Sequence, residues 1–367
     1  MTPPNYPISC YHAELPSHDL RVMIKLVRLL NKLAENRAYQ SLLNETLPAT
    51  ARINNGHYAV MMGFDFHLSP TGPKLIEVNT NAGGLWLSNL CYQPEARSFP
   101  PKLADKLLQT FLNDYALFRQ NPLACPELIV ILDENPQKQF LYPEMQVFAQ
   151  LFQQAGIKTA IASPENLTGN SDGVYLGNQR IDLIYNRHCD FYLETAAMNL
   201  VRKAWLNAQV CLTPNPRAYG LLADKRRMIL WSKPEFLAKL GLTTKEIGLI
   251  DQATPQTLSL ADLTPEQAWN SRKHWVFKPE TGYGSRGVYV GDKLTKGKLA
   301  ELNPEHTLVQ QRVPASITRI NDDLQFKTDF RLFSYRNQIL AISARLYQGQ
   351  VTNLRTEHGG FAKVRLI

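Results

Sequence analysis

Short apolar runs alternate with amphipathic segments between residues 127 and 209, and this alternation constrains the fold more than any other feature. The stretch ELIVILDE (127–134) reads as a buried strand, YPEMQVFAQLFQQAG (142–156) as an amphipathic helix stopped at Gly156, and IKTAIAS and RIDLIYNR as two further strands. ETAAMNLVRKAWLNAQ (194–209) reads as another helix. A helix between two strands carries the chain back to the sheet's starting edge, so the strands run parallel and the helices cover them. The pattern predicts a small parallel α/β unit, entered through the linker-like QNPLACP (120–126).

The flanks are patterned differently. With 367 residues, the chain is too long for one ordinary core. Val22, Leu26, Leu29, Leu30 and Leu33 recur at helical spacing and predict a helix over 18–47. YAVMMGFDFHLS and KLIEVN flank the turn SPTGP and predict a hairpin, and a helix is expected over about 100–117. Beyond TPNP comes a helix containing Lys225. It is followed by HWVFKPETGYGSRGVYVG as strand, glycine-rich loop and strand, TLVQQRV as a strand, and TDFRLFSYRNQILAISARLYQG as a hairpin turning at Asn337. The expected units are 1–122, 123–211 and 212–367.

Composition narrows the class. Hydrophobic residues make up 44% and charged residues 20%, as in soluble globular chains. No apolar run approaches the ~20 residues that span a bilayer, and the start carries no secretory pattern. Five scattered cysteines without CxxC spacing fit reduced thiols, so the expected location is cytoplasmic. The net charge is +8, but the basic residues are dispersed, which favours a polyanionic small ligand such as a nucleotide over nucleic acid.

Chemistry concentrates in two places. If the first hairpin turns about Thr71, Asp65 faces Glu77, and Asn79 shares the face of Glu77. Two opposed carboxylates repel unless a cation sits between them, and two carboxylates with an amide oxygen suit Mg²⁺. A solvated face of three unrelated polar residues is the other reading. His67, on the same face, reads as packing or support. In KPETGYGSRGV, Gly282, Gly284 and Gly287 free the backbone to approach phosphate oxygens, Ser285 adds a hydroxyl and Lys278 a cation. A strand follows, so this is neither a Walker loop nor a Rossmann turn but a flap, or else simply a mobile hairpin. Gln310 or Gln311 could meet an adenine edge. Arg331 and Arg345, on strands, suit phosphate oxygens.

KPETGYGSRGVYV, LVQQRV, DFRLFSYRNQILAISARL, TNLRTEHGGFAKV and GFDF…KLIEVNTNAGG together resemble successive motifs of the ATP-grasp ligases. In the usual order the GxD and EVN motifs come last; here GFDF and IEVN come first, which resembles the circularly permuted branch related to glutathionylspermidine synthetase and eukaryotic glutathione synthetase. The resemblance implies an α/β (α+β) ATP-grasp fold, permuted, with residues 123–211 as the small parallel α/β unit that precedes the grasp. It implies ATP and Mg²⁺ as cofactors. Asp65, Glu77 and Asn79 would hold the metal, and Lys225, Lys278, Gly284, Ser285, Gly287, Gln310, Gln311 and Val313 the nucleotide. Arg345, Arg331 and Lys278 would be catalytic.

The spermidine-linked relatives carry an arginine two positions before the metal aspartate, where this chain has Gly63, and NAGG replaces the usual NPG. The implied reaction joins an amino-acid or peptide-like acid to an amine through an acylphosphate. Arg187 and Asn186 are the candidates for substrate capture, set against a structural ion pair, with Arg217 and a nucleophilic Cys189 as weaker ideas. A phosphotransferase and a non-catalytic nucleotide-binding module are the alternatives. No membrane partner is expected, and a homodimer stays open.

Overall fold

The computed structural model describes residues 6–282, 287–350, 352 and 356–367. The first strand is β1 (Ile8–Leu15). A helix, Ser17–Ala34, follows and buries Met23, Leu26, Val27, Leu29, Leu30 and Leu33 along one stripe. The single helix expected over 18–47 is two: Asn36 accepts from Tyr39 N and caps a second helix, Arg37–Asn44, which restarts the chain in a new direction. Next come β2 (Met62–Ser69) and β3 (Gly72–Asn79), a short helix Leu85–Leu90 that the sequence reading missed, and the expected helix Pro101–Phe118.

The α/β segment contributes β4 (Leu128–Leu132), a helix Tyr142–Gln154 and β5 (Lys158–Ala162). A small antiparallel sheet of β6 (Leu167–Asn170), β7 (Gly173–Leu176) and β8 (Gln179–Arg180) precedes β9 (Leu183–Asn186), a helix Asn199–Leu206 and β10 (Cys211–Thr213). Four strands pair in the order β10-β9-β4-β5, all parallel, as the alternation predicted. They are buried on both faces. Ile129, Ile131, Leu183 and Tyr185 pack toward the helices Pro101–Phe118 and Tyr142–Gln154; Leu128, Val130, Leu132 and Ile184 pack against Val201, Ala204 and Trp205.

Beyond a helical stretch, β11 (Thr257–Ser259), β12 (Trp275–Pro279), β13 (Tyr289–Val290) and β14 (Thr307–Gln311) form an antiparallel sheet in the order β11-β14-β12-β13. Lastly, β15 (Ser316–Arg319), β16 (Gln325–Tyr335), β17 (Gln338–Tyr347) and β18 (Gly360–Leu366) return to the first strands. One seven-stranded sheet, β1-β18-β17-β16-β2-β3 with β15 beside β16, thus combines the two ends of the chain.

The faces of this large sheet explain where a site can form. Phe64, Phe66, Phe330, Leu332, Ala344 and Leu346 enter the core beneath the helix Ser17–Ala34. Their strand neighbours Asp65, Asp329, Arg331 and Arg345 point the other way, toward the β11–β14 sheet.

Candidate functional site

A cleft of about 670 Å³ separates the large sheet from the β11–β14 sheet. On its floor Asp65 pairs with Glu77 and Gly63 with Asn79, the register expected from the sequence. The route to that register was not foreseen. The turn is the two residues Pro70 and Thr71, which on its own pairs Ser69 with Gly72, His67 with Lys74 and Phe66 with Leu75. A bulge at Ile76 then adds one residue to β3. Without it Asp65 would face Ile76, and Glu77 would point to the opposite side. The bulge carbonyl is not orphaned: Lys278 Nζ donates to Ile76 O at 3.2 Å and Gln310 Nε2 at 3.4 Å, both from the opposing sheet.

Asn79 Nδ2 lies 3.3 Å from Asp65 Oδ2 and 3.4 Å from Glu77 Oε1, so the three side chains converge. Turning the Asn79 amide over would aim its carbonyl oxygen at the same point. Glu77 makes no ion pair among the described residues, whereas Asp65 is fully engaged. Arg331 grips it with two bonds of 2.6 Å, and Arg345 Nη2 adds a third at 3.0 Å. Arg345 also donates to Asp329 at 2.6 Å, and Thr352 holds the other oxygen of Asp329. Burial opposes the charge on Asp65, but Arg331 and Arg345 outweigh it and hold its carboxyl well below the usual carboxylate range.

Among the described residues no group of three or more His, Cys, Asp or Glu side chains is placed to hold a metal. The donor set here is two carboxylates and an amide, all oxygen, with Glu77 in no ion pair among the described residues; that set fits Mg²⁺, which takes few protein ligands and keeps water or phosphate oxygens in the rest of its octahedron.

The opposite wall supplies cations and apolar surface. Lys278, 7% exposed, donates to Gln310 Oε1 at 2.6 Å. Lys225 does not lie inside a continuous helix: a π-helix, Tyr219–Ala223, ends before it, and Lys225 stands at the N-cap position of the helix Arg226–Trp231 without a side-chain capping bond. Its Nζ reaches Gly282 O at 2.8 Å. Gly282, at φ +136°, and Gly287, at φ +71°, adopt the left-handed backbone that glycine permits. Gly284 and Ser285 lie outside the described residues. Gln310, Gln311 and Val313 line the cleft, while Gly287 does not. His67 supports Val313 through Nδ1 and the Val313 carbonyl, 2.9 Å apart.

Arg187 and Asn186 stand apart from the cleft. Both sit at the carboxyl end of β9 and are buried, at 6% and 5% exposure. Capture of a substrate carboxylate would need an open guanidinium in the cleft. Instead Arg187 Nη1 donates to Asn81 O, Ala82 O and Tyr185 Oη at 3.0–3.3 Å, and Asn186 accepts from His188 N. Arg217 is bonded to the carbonyls of Ala51 and Arg52 and to Gln40. Cys189 is met by Asn81 Nδ2 at 3.8 Å and does not line the cleft.

Sequence reasoning gave no site role to Lys327, Asp329 or Tyr347, which line the cleft. Lys327, Asp329 and Arg331 alternate along β16, so the period of two carried the signal for the first two. The glycine at position 63 has a spatial reason: a Cβ there would lie 2.6 Å from Ala82 Cβ and 3.3 Å from Arg331 Cδ. Arg331 crosses that space from the neighbouring strand.

No protein-family model matches the sequence, and no curated protein matches it. Solved structures do. The chain resembles a glutathione synthetase-like effector from Globodera pallida in its apo form, at TM-score 0.61 and 12% identity over 98% of this chain and 90% of that one. It also resembles a candidate gamma-glutamylcysteine synthetase from Methylobacillus flagellatus KT, at TM-score 0.54 and 11% identity over 93% and 87%. The ATP-grasp ligase PsnB, complexed with minimal precursor, Mg and ADP, aligns over 64% of this chain and 87% of that one, at 12% identity and a TM-score of 0.31, below the level of a shared fold. The mixed α/β fold is therefore of the glutathione synthetase-like type.

Proposed function

We propose that this glutathione synthetase-like fold is an ATP-dependent carboxylate–amine ligase working through an acylphosphate. One observation carries the reading: the convergent Asp65, Glu77 and Asn79 face Lys278, Lys225 and Gln310 across a cleft of about 670 Å³, large enough for a nucleotide and the reacting end of a second substrate. Residues 1–122 and the chain beyond β10 then form one catalytic body in permuted order; the accompanying α/β unit runs past the expected end at 211, because β10 (Cys211–Thr213) belongs to its sheet.

In this reading Ile76, Val276, Gln310, Gln311 and Val313 line the base and ribose, and Lys278 and Lys225 bind phosphates, Lys225 leaving its bond to Gly282 O. The resemblance would set Gly284, Ser285 and Gly287 against the β- and γ-phosphates; the first two lie outside the described residues and Gly287 outside the cleft lining. Mg²⁺, held by Glu77, Asn79 and Asp65, would neutralise charge on the phosphate oxygens. A carboxylate oxygen of the acid attacks the γ-phosphorus, and the bond to ADP breaks. The amine nitrogen then attacks the acyl carbon; the C–N bond forms, phosphate leaves and the ammonium proton is lost. Arg345 and Arg331 face the charge that develops on the transferring group. Positioning and electrostatics supply the catalysis.

The test is release of ADP and phosphate from Mg·ATP against pools of amino acids, small peptides and polyamines, with the Asp65→Ala, Glu77→Ala variant as control. Release of both products that depends on a pool and vanishes in the control is expected. Absence of ATP binding would overturn the site; a stable phosphorylated product without free phosphate would make the chain a phosphotransferase.

Lys278 adds a pH signature. Burial pushes its ammonium down to about 8; Glu77 opposes the fall, Lys225 adds to it and Asp65 opposes it again. A polyphosphate against Nζ favours the charged form, so binding raises this pKa and draws in a proton wherever the free lysine is partly neutral. ADP affinity should hold below pH 8 and fall above it, with uptake of about half a proton at pH 8. Calorimetry in buffers of different ionisation heats reads the uptake. A flat affinity without uptake would remove Lys278 from the phosphate contacts.

A further inference from the structure

The loop 80–84 follows Asn79 directly and is gripped by three charged side chains from three different elements. Arg187, at the end of β9, donates to Asn81 O at 3.0 Å and Ala82 O at 3.2 Å. Glu144, on the helix Tyr142–Gln154, accepts from Gly84 N at 3.0 Å and Trp86 N at 2.8 Å. Arg331 donates to Gly83 O at 3.2 Å with the same guanidinium that grips Asp65. Asn81 Nδ2 returns a bond to Arg187 O at 3.0 Å.

At its two glycines the loop sits close against its neighbours. A Cβ at Gly83 would lie 2.2 Å from Leu141 Cδ1 and 2.7 Å from Arg187 Nη2; one at Gly84, where φ is +92°, would lie 2.1 Å from Phe361 Cζ. This accounts for the NAGG sequence. Arg187 and Glu144 are 6% and 2% exposed. The two feel each other's charge without forming an ion pair, and burying charges is a costly way to join two units, since apolar contacts of similar volume do as well. What charge adds here is a fixed backbone geometry, and that geometry feeds two of the three cation-facing residues: Asn79 through the chain, and Asp65 through Gly83 and Arg331.

We infer that Arg187 and Glu144 are positioning residues that hold the loop 80–84 and thereby set Asn79 and the Asp65–Arg331 pair at the cation end of the cleft. The α/β unit then acts on the reaction through this loop, and Arg187 serves the site without touching substrate. The inference rests on the nucleotide–metal reading given above.

The test compares ADP affinity with Mg²⁺ and with EDTA in the full chain and in Arg187→Met, Glu144→Gln and the double variant, which removes both charges together and guards against misfolding of either single change. Mg²⁺ should tighten ADP binding to the wild type. The variants should keep the EDTA affinity, which reads the Lys278 and Lys225 end, and lose about tenfold or more of the Mg²⁺ enhancement, the usual effect of removing groups that orient metal ligands. Arg187→Lys should recover part of it. An unchanged enhancement in the double variant would overturn the inference, as would equal loss of both affinities in a folded variant, which marks a merely structural role. A wild type that binds ADP equally with and without Mg²⁺ would instead overturn the metal assignment, and with it the inference; one that binds no ADP would overturn the proposed function.

Discussion

Asp65→Asn should destabilise the protein by about 3–5 kcal/mol, the cost of breaking a buried ion pair from one side. The isosteric amide leaves two buried arginines without their shared counter-ion, since Arg331 makes both of its 2.6 Å bonds to that carboxylate and Arg345 makes one of 3.0 Å. Arg345 retains Asp329; Arg331 retains only Gly83 O among the described residues. For a cooperative unit of 150–250 residues the loss corresponds to roughly 6–20 °C in Tm. Calorimetric unfolding at neutral pH measures it. The folded carboxyl is depressed, so its contribution is complete above the unfolded value of 3.8 and drains away as pH falls below it; the gap between wild type and variant should narrow there. A shift under about 2 °C, or less than about 1 kcal/mol, would show that the arginines find other partners.

Glu77→Gln should have the opposite signature. Glu77 faces Asp65 across one register step, yet it is half-exposed and makes no ion pair among the described residues. Removing its charge breaks no ion pair, but it takes from the buried Lys278 the carboxylate that most favours its charged form, so stability should fall by about 1 kcal/mol, well short of the Asp65 loss. Turnover should fall about 10²–10³-fold, the scale on which losing one preorganised charge stabiliser acts. The readout is steady-state phosphate release with whichever substrate pool supports it, alongside the same unfolding scan. Residual activity above about a tenth of wild type would remove Glu77 from the cation set. The pair of variants separates two carboxylates that sequence alone treats alike: one balances two arginines, the other makes no ion pair among the described residues.

Much of the fold was legible because its signals are local. The parallel unit showed in the alternation of apolar strands with helices, and the cleft floor in the period of two along GFDF and KLIEVN. Legibility ended where one side chain redirects a chain or a partner. Asn36 splits a helix whose apolar stripe runs on, because its amide oxygen caps Tyr39 N. Lys225 lies at a helix start because the preceding π-helix, Tyr219–Ala223, ends at the extended Asp224. Arg187, on sequence alone either a fork for a carboxylate or a structural ion pair, sends its bonds to a loop 105 and 106 residues away in sequence.

The sequence by itself determined which side chains share a strand face between bulges, since the pleat there repeats every two residues. That put Glu77 with Asn79; the expected turn about Thr71 added Asp65, a register that the structure reaches instead through the Pro70–Thr71 turn and the Ile76 bulge. Only the tertiary structure decided that the hairpin bulges at Ile76, with a carbonyl held by Lys278 and Gln310 from 202 and 234 positions away. It alone decided that Asp65 is claimed first by Arg331, 266 positions distant, and that Arg187 clamps the loop beside Asp65, Glu77 and Asn79. Backbone periodicity is a property of neighbours in the chain; the partner of a buried charge or an unpaired carbonyl is whatever the folded sheets place within hydrogen-bonding distance.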